Sequence, residues 1–354
     1  MSQEQPGVPA YTIPEVKVHV MARKWLYFAI SGLMMVPGII AMILCFSKFG
    51  APVKLGVDFT GGSLLQVRFE QNVEVQQFRD ALHHVRLSTY DDTGNVVSRD
   101  TEKVEGEIQE VVETAARSEA ATGSADAGST LILRTKELNK YQIAELKADL
   151  QGPELKLGKF TPERVESVGP KIGAELMRNA LYALAAGIVM ILAYIAFRYQ
   201  FDFAVCAIAA MVHDVIVMVG TFAIFSLTLG AEADGLFITA LLTVMGFSVH
   251  DTIVIFDRFR ENLRYAQKGD HFSDIADRSI NQTFLRSIYT SVTVLLALLP
   301  LVLFGGSSIF FFTLAMVIGI VSGTYSSIFN AAPLLVIWRD GLRAAPSGGT
   351  GVAA

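Results

Sequence analysis

Six stretches of predominantly apolar residues dominate this 354-residue chain, and each is long enough to cross a bilayer. A membrane-spanning helix takes about 20 mainly apolar residues. The chain is 52% hydrophobic and only 18% charged, with a mean hydropathy of +0.43, which is too apolar for an ordinary soluble domain. We therefore predict an α-helical membrane protein with six transmembrane helices, at residues 25–47, 178–197, 203–229, 235–256, 284–304 and 309–337.

Lys and Arg residues cluster at alternate ends of these stretches. Basic pairs lie before the first stretch and after the sixth, and a larger basic group follows the fourth. Because cytoplasmic loops are enriched in Lys and Arg, the tails at 1–24 and 338–354 are predicted to be cytoplasmic. The polar block at 48–177 is then predicted to lie on the exterior side.

This polar block alternates strand-like and helical patterns. The order is strand, helix, strand, strand, helix, strand, at residues 63–69, 75–84, 85–90, 130–133, 139–150 and 155–168. Such an order predicts an α+β domain of the split βαβ, or ferredoxin-like, type. An acidic insert at about 98–129, which ends in Ala, Ser and Gly, is expected to form a helical or mobile excursion.

Residues 257–282, after the fourth stretch, are polar and basic, with apolar residues at helical spacing. This pattern favours a helix that lies along the cytoplasmic membrane interface. An amphipathic connector packed on protein is the alternative.

Two nearly identical phrases place a His-Asp pair inside an apolar stretch: His213-Asp214 in the third and His250-Asp251 in the fourth. At 1.5 Å per residue, Asp214 lies near the middle of the bilayer, twelve residues after Asp202, and Asp251 lies in its inner third. A charged side chain at such a depth costs at least ~2.5 to 3.5 kcal/mol, so ionisable residues there usually face a bundle interior and mark ion or proton pathways. We therefore predict that the two carboxylates belong to a proton relay.

Arg286, at the start of the fifth stretch and on the same side of the membrane, is the predicted cation for Asp251. A snorkelling flank residue is the alternative interpretation of Arg286. Consecutive helical residues point about 100 degrees apart, so His213 and His250 are not expected to share a site with the next Asp by adjacency alone. Together with Thr252, they are candidate supporting residues. A metal site would need both His-Asp pairs to converge, and we predict no metal and no other cofactor.

Gly319 and Gly323 form a small-xxx-small pair in the sixth stretch, beside several Ser and Thr residues. Such a face lets another helix approach closely. A neighbour within the same chain is the favoured one.

Three longer phrases resemble the SecD/SecF family of bacterial protein-export membrane proteins, and within it the SecF subunits. They are Gly56–Gly62 after the first stretch, Val168–Gly173 before the second, and Gly246–Asn262 across the fourth. The family belongs to the resistance-nodulation-division superfamily, in which two six-helix halves form a pseudo-symmetric unit and proton flow drives motion of the exterior domains. The acidic insert is longer than we expect for the family's compact exterior domain.

The resemblance implies a multi-pass protein of the bacterial cytoplasmic membrane, where proton-motive force assists protein translocation. Its implied partners, besides the lipid bilayer, are SecD as the second six-helix half, the Sec translocon channel and the translocating preprotein. Carried over to this sequence, it implies that Asp251 carries the proton, that Arg286 is its basic partner and that Asp214 is a further functional carboxylate.

Other functions are compatible with the same residues. A proton-coupled small-molecule exporter half-unit of the superfamily would also use buried carboxylates, whereas a passive translocon subunit would not need them. Nucleic-acid binding is set aside because the chain has no basic patch. An enzyme is disfavoured because the sequence has no nucleophile elbow, phosphate loop or Cys/His metal spacing.

Overall fold

The computed structural model describes residues 18–91, 93–104, 106–110, 129–152, 155, 157–266 and 271–344. In chain order, its elements are α1 (Lys24–Phe49), α2 (Val57–Thr60), β1 (Gly62–Phe69), α3 (Val75–His84), β2 (Arg86–Tyr90), β3 (Val96–Lys103), β4 (Gly106–Glu110), β5 (Thr130–Thr135), α4 (Lys140–Leu150), β6 (Phe160–Val168), α5 (Pro170–Arg198), α6 (Phe201–Thr228), α7 (Gly235–Arg264), α8 (Phe272–Phe304), α9 (Ser307–Ser326), a π-helical turn (Ser327–Ala331) and α10 (Ala332–Ala344).

Within the described ranges, six helical segments are long and apolar enough to cross a membrane, which confirms the predicted number. They are α1, α5, α6, α7, α8, and the continuous run of α9, the π turn and α10. For two of these helices, the residues at the N-terminus explain where the helix begins. Pro170 occupies the first turn of α5, where its fixed φ suits a helix. Asp234 caps α7 by accepting a hydrogen bond from the Phe237 N–H at 3.0 Å.

Helices α6 and α7 form the centre of the bundle. In their most apolar windows 61% and 50% of the residues are buried, against 6% for α5 and 17% for α8. Glycines allow close helix contacts: Gly38 of α1 lies against Gly220 of α6, and Gly319 of α9 lies against Val244 of α7. The small-residue face of the sixth span therefore packs within this chain.

The α+β domain lies between the first and second spanning helices, as predicted. In the part of the domain that the structure describes, the main sheet has four antiparallel strands in the order β4-β5-β1-β6. Leu65, Val67 and Phe69 of β1 share a buried core with Phe78 of α3 and Leu146 of α4. Alternate residues of β1 and one face of each helix thus build the core of this domain.

The second predicted strand lies outside the main sheet. β2 pairs with β3 in a separate two-stranded ribbon, and β4 takes the place beside β5. Ser88 of β2 is bound to α4, because Glu145 accepts from its N–H and hydroxyl at 2.8 and 2.7 Å, and Gln142 donates to its carbonyl. The expected helical or mobile insert is therefore wrong for residues 98–103 and 106–110, which lie in strands, while residues 111–128 lie outside the described residues.

The predicted interfacial helix at 257–282 is not a separate element. Helix α7 continues to Arg264, and α8 begins at Phe272 and runs without interruption into the fifth span. Phe272, Ala276 and Ile280 are buried in the bundle core. The apolar face of this segment therefore packs on protein, which was the alternative.

Candidate functional site

Asp214 lies midway along α6, and its side chain is almost completely buried, with 1% exposure. Ser248 of α7 and Ser326 of α9 donate hydrogen bonds to Oδ2 at 2.5 and 2.6 Å, and Ser322 of α9 donates to Oδ1 at 2.7 Å. The Nδ1 atom of His213 lies 3.0 Å from Oδ1. We call these five residues the Asp214 cage.

The glycines of α9 explain how the cage can form. A Cβ at position 323 would lie 3.2 Å from the Ser248 Cβ and 3.6 Å from the Asp214 Oδ2. A side chain at this position would crowd Ser248, so glycine helps α9 to approach α7 and α6 this closely. Ser322 and Ser326 are four residues apart and share one helical face. That spacing was visible in the sequence, but it did not show which residue the two hydroxyls would meet.

His213 contradicts the expectation that adjacency does not bring a histidine to the next carboxylate. Although consecutive Cα–Cβ directions diverge along a helix, the His213 Nδ1 atom lies within hydrogen-bonding distance of the Asp214 Oδ1 atom. Its other ring nitrogen, Nε2, is buried without a hydrogen-bond partner among the described residues. The side chain is 8% exposed.

Asp251 is also buried, with 3% exposure, but its surroundings differ. Its Oδ2 has no hydrogen-bond partner among the described residues, and the hydroxyl of Ser287 on α8 lies beside the carboxylate but short of a well-formed hydrogen bond. Thr252 does not support Asp251 directly, because its hydroxyl pairs with that of Ser327 in the π turn at 2.8 Å. Asp251 therefore has fewer hydrogen bonds than Asp214 among the described residues.

Arg286 does not form the expected direct ion pair with Asp251 in this structure. The ion pairs of the described residues include none between them, and the Arg286 side chain lies on the exposed face of α8. Ser287 points into the bundle instead, because consecutive helical residues diverge by about 100 degrees. The guanidinium still acts on Asp251 electrostatically, as does the like charge of Asp214.

His250 lies on the exposed side of α7 and makes no hydrogen bond within the described ranges. It therefore does not converge with the buried His213. Among the residues that the structure describes, no group of three or more His, Cys, Asp or Glu side chains could hold a metal ion.

Two family models match the chain. The model described as "Protein export membrane protein SecD/SecF, C-terminal" matches residues 154–341, more than half of the 354 residues. The model described as "SecD/SecF GG Motif" matches residues 49–73. The chain belongs to the SecD/SecF family.

Relatives within this family align over nearly their whole length. The protein translocase subunit SecF of Thermobaculum terrenum is 39% identical over 328 residues, which cover 91% of this chain and 94% of that protein. SecF of Synechocystis is 37% identical over 320 residues, covering 88% and 90%. The crystal structure of SecDF, a translocon-associated membrane protein from Thermus thermophilus, superposes with a TM-score of 0.71 at 32% identity. It covers 94% of this chain but only 40% of the SecDF chain.

The region of the SecD/SecF GG motif joins the α+β domain to the bundle. Gly61 and Gly62 have φ values of +71° and +118°, which favour glycine. A Cβ on Gly61 would lie 2.9 Å from the Pro170 Cα, and a Cβ on Gly173 would lie 2.9 Å from the Gly61 nitrogen. The first two sequence phrases of the family therefore touch each other, at the start of α5.

An ionic cluster joins the same region to the α6–α7 loop. Glu232 in that loop lies 3.1 Å from the Lys54 Nζ and 3.0 Å from Nη1 of Arg134 on β5. We call Lys54, Arg134 and Glu232 the domain clamp. Asp58 of α2 accepts a hydrogen bond from the Gly235 N–H at the start of α7. Sequence patterns did not reveal the clamp, because its members come from three distant parts of the chain.

A second ionic contact lies beside the clamp. Arg164 of β6 lies 2.6 Å from Glu166 and 3.4 Å from Asp234, the capping residue of α7. Burial works against the charge on Arg164, but the carboxylates of Glu166 and Asp234 outweigh it and raise the pKa of the guanidinium. This cation therefore stays charged where the α+β domain meets the bundle.

Proposed function

We propose that this chain works as the SecF subunit of a SecD–SecF complex that assists protein translocation by the Sec translocon. The α+β domain lies outside the bacterial cytoplasmic membrane, both termini are cytoplasmic, and proton-motive force drives the cycle. The family membership and the relatives named protein translocase subunit SecF support the role in translocation.

The observation that carries the proton mechanism is the state of Asp251. Asp251 is buried in a spanning helix, and one of its oxygens has no partner among the described residues. Ionising such a group costs free energy, and protonation removes that cost because it removes the charge. Protonation changes its attraction to Arg286, which already acts on it electrostatically. Helices α7 and α8, which carry these two residues, would shift in response.

The position of Arg286 supports a partner at α8. A charged arginine within a span is too costly against acyl chains and normally faces protein or water. The Arg286 side chain is exposed in the isolated chain. A polar group of another protein is therefore needed next to it in the membrane. The SecDF chain is longer than this one, which covers 40% of it. SecD, as a separate second half, would supply that companion.

The clamp provides a mechanical connection to the exterior domain. Lys54 and Arg134 bind Glu232 in the α6–α7 loop, and Asp58, next to the clamp, accepts a hydrogen bond from the first turn of α7. A shift of α7 would therefore move the α+β domain and act on the translocating chain. Moving one charge across the membrane potential provides ~2.3 kcal/mol per 100 mV, and about 1.4 kcal/mol already changes a population ratio about tenfold.

The test is proton-motive-force-dependent translocation of a preprotein into membrane vesicles that contain the complex with Asp251→Asn. We expect the stimulation by proton-motive force to fall about tenfold or more, while translocation driven by ATP alone remains. Asp274→Asn is the matched control, since this carboxylate is exposed at the start of α8. Full stimulation in an assembled Asp251→Asn complex would overturn the proposal.

A further inference from the structure

The Asp214 cage is arranged for an ionised carboxylate. Three serine hydroxyls donate to Asp214, and the fourth neighbour is the His213 Nδ1 atom. A protonated carboxyl group would add its own O–H among groups that donate. The hydroxyl of at least one serine would then have to rotate to another acceptor, such as the Gly323 carbonyl that Ser326 also reaches at 3.2 Å.

The charge of Asp214 needs a counter-charge in the bundle. Among the described residues, the ion pairs of Asp214 include no lysine or arginine, and its one cationic candidate is His213. An unpaired charge buried in a spanning helix is costly. A protonated imidazole at 3.0 Å would bring the net charge of the pair from −1 to 0.

The free ring nitrogen shows where the proton would bind. If Nδ1 carries a hydrogen and donates to Asp214, Nε2 of a neutral imidazole is an acceptor. This Nε2 atom is buried and has no partner in the described chain. Protonation at Nε2 therefore leaves the hydrogen bond to Asp214 intact. The new N–H then needs an acceptor, which a water molecule in a proton pathway would supply.

Among the described residues, α9 and α7 supply the groups next to the His213–Asp214 pair. Tyr325 of α9 has its ring centroid 6.5 Å from the imidazole, and its hydroxyl donates to the Tyr27 carbonyl of α1. From α7, Ser248 contacts Asp214, and Asp251 is within its electrostatic reach. Apart from the two tyrosines, the titratable group within reach of the pair among the described residues is Asp251, on which His250 and Arg286 also act electrostatically.

We infer that His213 is a second proton-binding group of the bundle, which takes up its proton at Nε2 while Asp214 remains a carboxylate. The inference rests on the proposed function, since it identifies where the third span binds a proton. Histidine is the side chain whose ordinary pKa, ~6.5, lies within the physiological range. Because Asp214 acts on Asp251 electrostatically, neutralising the His213–Asp214 pair also changes the field at Asp251.

The test is an infrared titration of this chain in complex with SecD in nanodiscs, with ring-labelled histidine. It uses an Asp251→Asn background, so that this other carboxyl group contributes no band. On lowering the pH from about 8 to about 5, we expect imidazolium bands that His213→Asn removes and His250→Asn retains. His250 is the matched control because it precedes the other aspartate and is exposed.

Two results would overturn the inference. One is an unchanged set of histidine bands in His213→Asn. The other is a carboxylic-acid band that appears on acidification and is lost in Asp214→Asn, which would place the proton on the aspartate. If His213→Asn does not assemble with SecD, the carboxylic-acid region of the parent complex still decides the matter.

The translocation assay separates this inference from the proposed function. If Asp251→Asn abolishes the stimulation and His213 does not titrate, only the inference fails. If Asp251→Asn keeps full stimulation, the proposed function fails, whatever the histidine bands show.

Discussion

The ammonium of Lys54 lies 3.1 Å from the carboxylate of Glu232, and the two side chains are only 7% and 16% exposed. Lys54 precedes the GG motif phrase and Glu232 lies in the α6–α7 loop, 178 residues later. This contact therefore joins the base of the α+β domain to the loop that leads into α7.

Glu232→Gln should destabilise the protein. The change removes a charge shared by Lys54 and Arg134 and leaves both cations short of a partner in a mostly buried place. Charge-assisted hydrogen bonds contribute about 1.5 to 3 kcal/mol, so we expect a clear fall in the melting temperature in detergent. Glu107→Gln is the control, since Glu107 also contacts Lys54 but is 59% exposed. Equal effects of the two changes would contradict the prediction.

Gly319→Ala should weaken the packing of α9 on α7. A Cβ at this position would lie 2.5 Å from both methyl carbons of Val244, so the helices would have to separate. Overpacking of this kind costs about 1 to 3 kcal/mol. Thermal unfolding in detergent measures it, with Gly246→Ala of α7 as the control, because a Cβ there has nothing within 4 Å. A Gly246→Ala variant as unstable as Gly319→Ala would refute the steric explanation.

Gly62→Ala should disturb the GG motif more than Gly50→Ala disturbs the end of α1. Both glycines have positive φ, +118° and +75°, which strains any other residue by about 1 to 3 kcal/mol. A Cβ on Gly62 would in addition lie 2.7 Å from the Thr135 carbonyl oxygen, whereas Gly50 has open space. Limited proteolysis of the α+β domain and thermal unfolding would rank the two variants. The opposite order would show that the close contact does not matter.

The outer face of α8 should be covered in the complex with SecD. Tyr289, one turn after Arg286, is 64% exposed in the isolated chain. We expect a cysteine at Tyr289 to react with a maleimide several-fold more slowly when SecD is present, because the partner excludes the reagent. A cysteine at Leu33 of α1, which is 73% exposed, is the comparison. The native Cys45 and Cys206 are buried. If SecD protects Leu33 and leaves Tyr289 reactive, the partner lies on the other side of the bundle.

The sequence predicted the six spans because the length and apolarity of a spanning helix follow from the thickness of the bilayer. It also singled out Asp214 and Asp251, since a carboxylate in an apolar stretch is exceptional wherever the helix packs. The α+β domain followed from the periodicity of short local segments. These features depend on residues close together in the chain.

Only the tertiary structure showed which residues each side chain contacts. Whether β2 or β4 pairs with β5, and which serines surround Asp214, depends on contacts between residues far apart in the sequence. Arg286 and Ser287 are neighbours in the chain, yet the rotation of α8 exposes one and buries the other. Helix rotation is set by packing of the whole bundle, through close contacts such as that of Gly319 with Val244, and no local pattern encodes it.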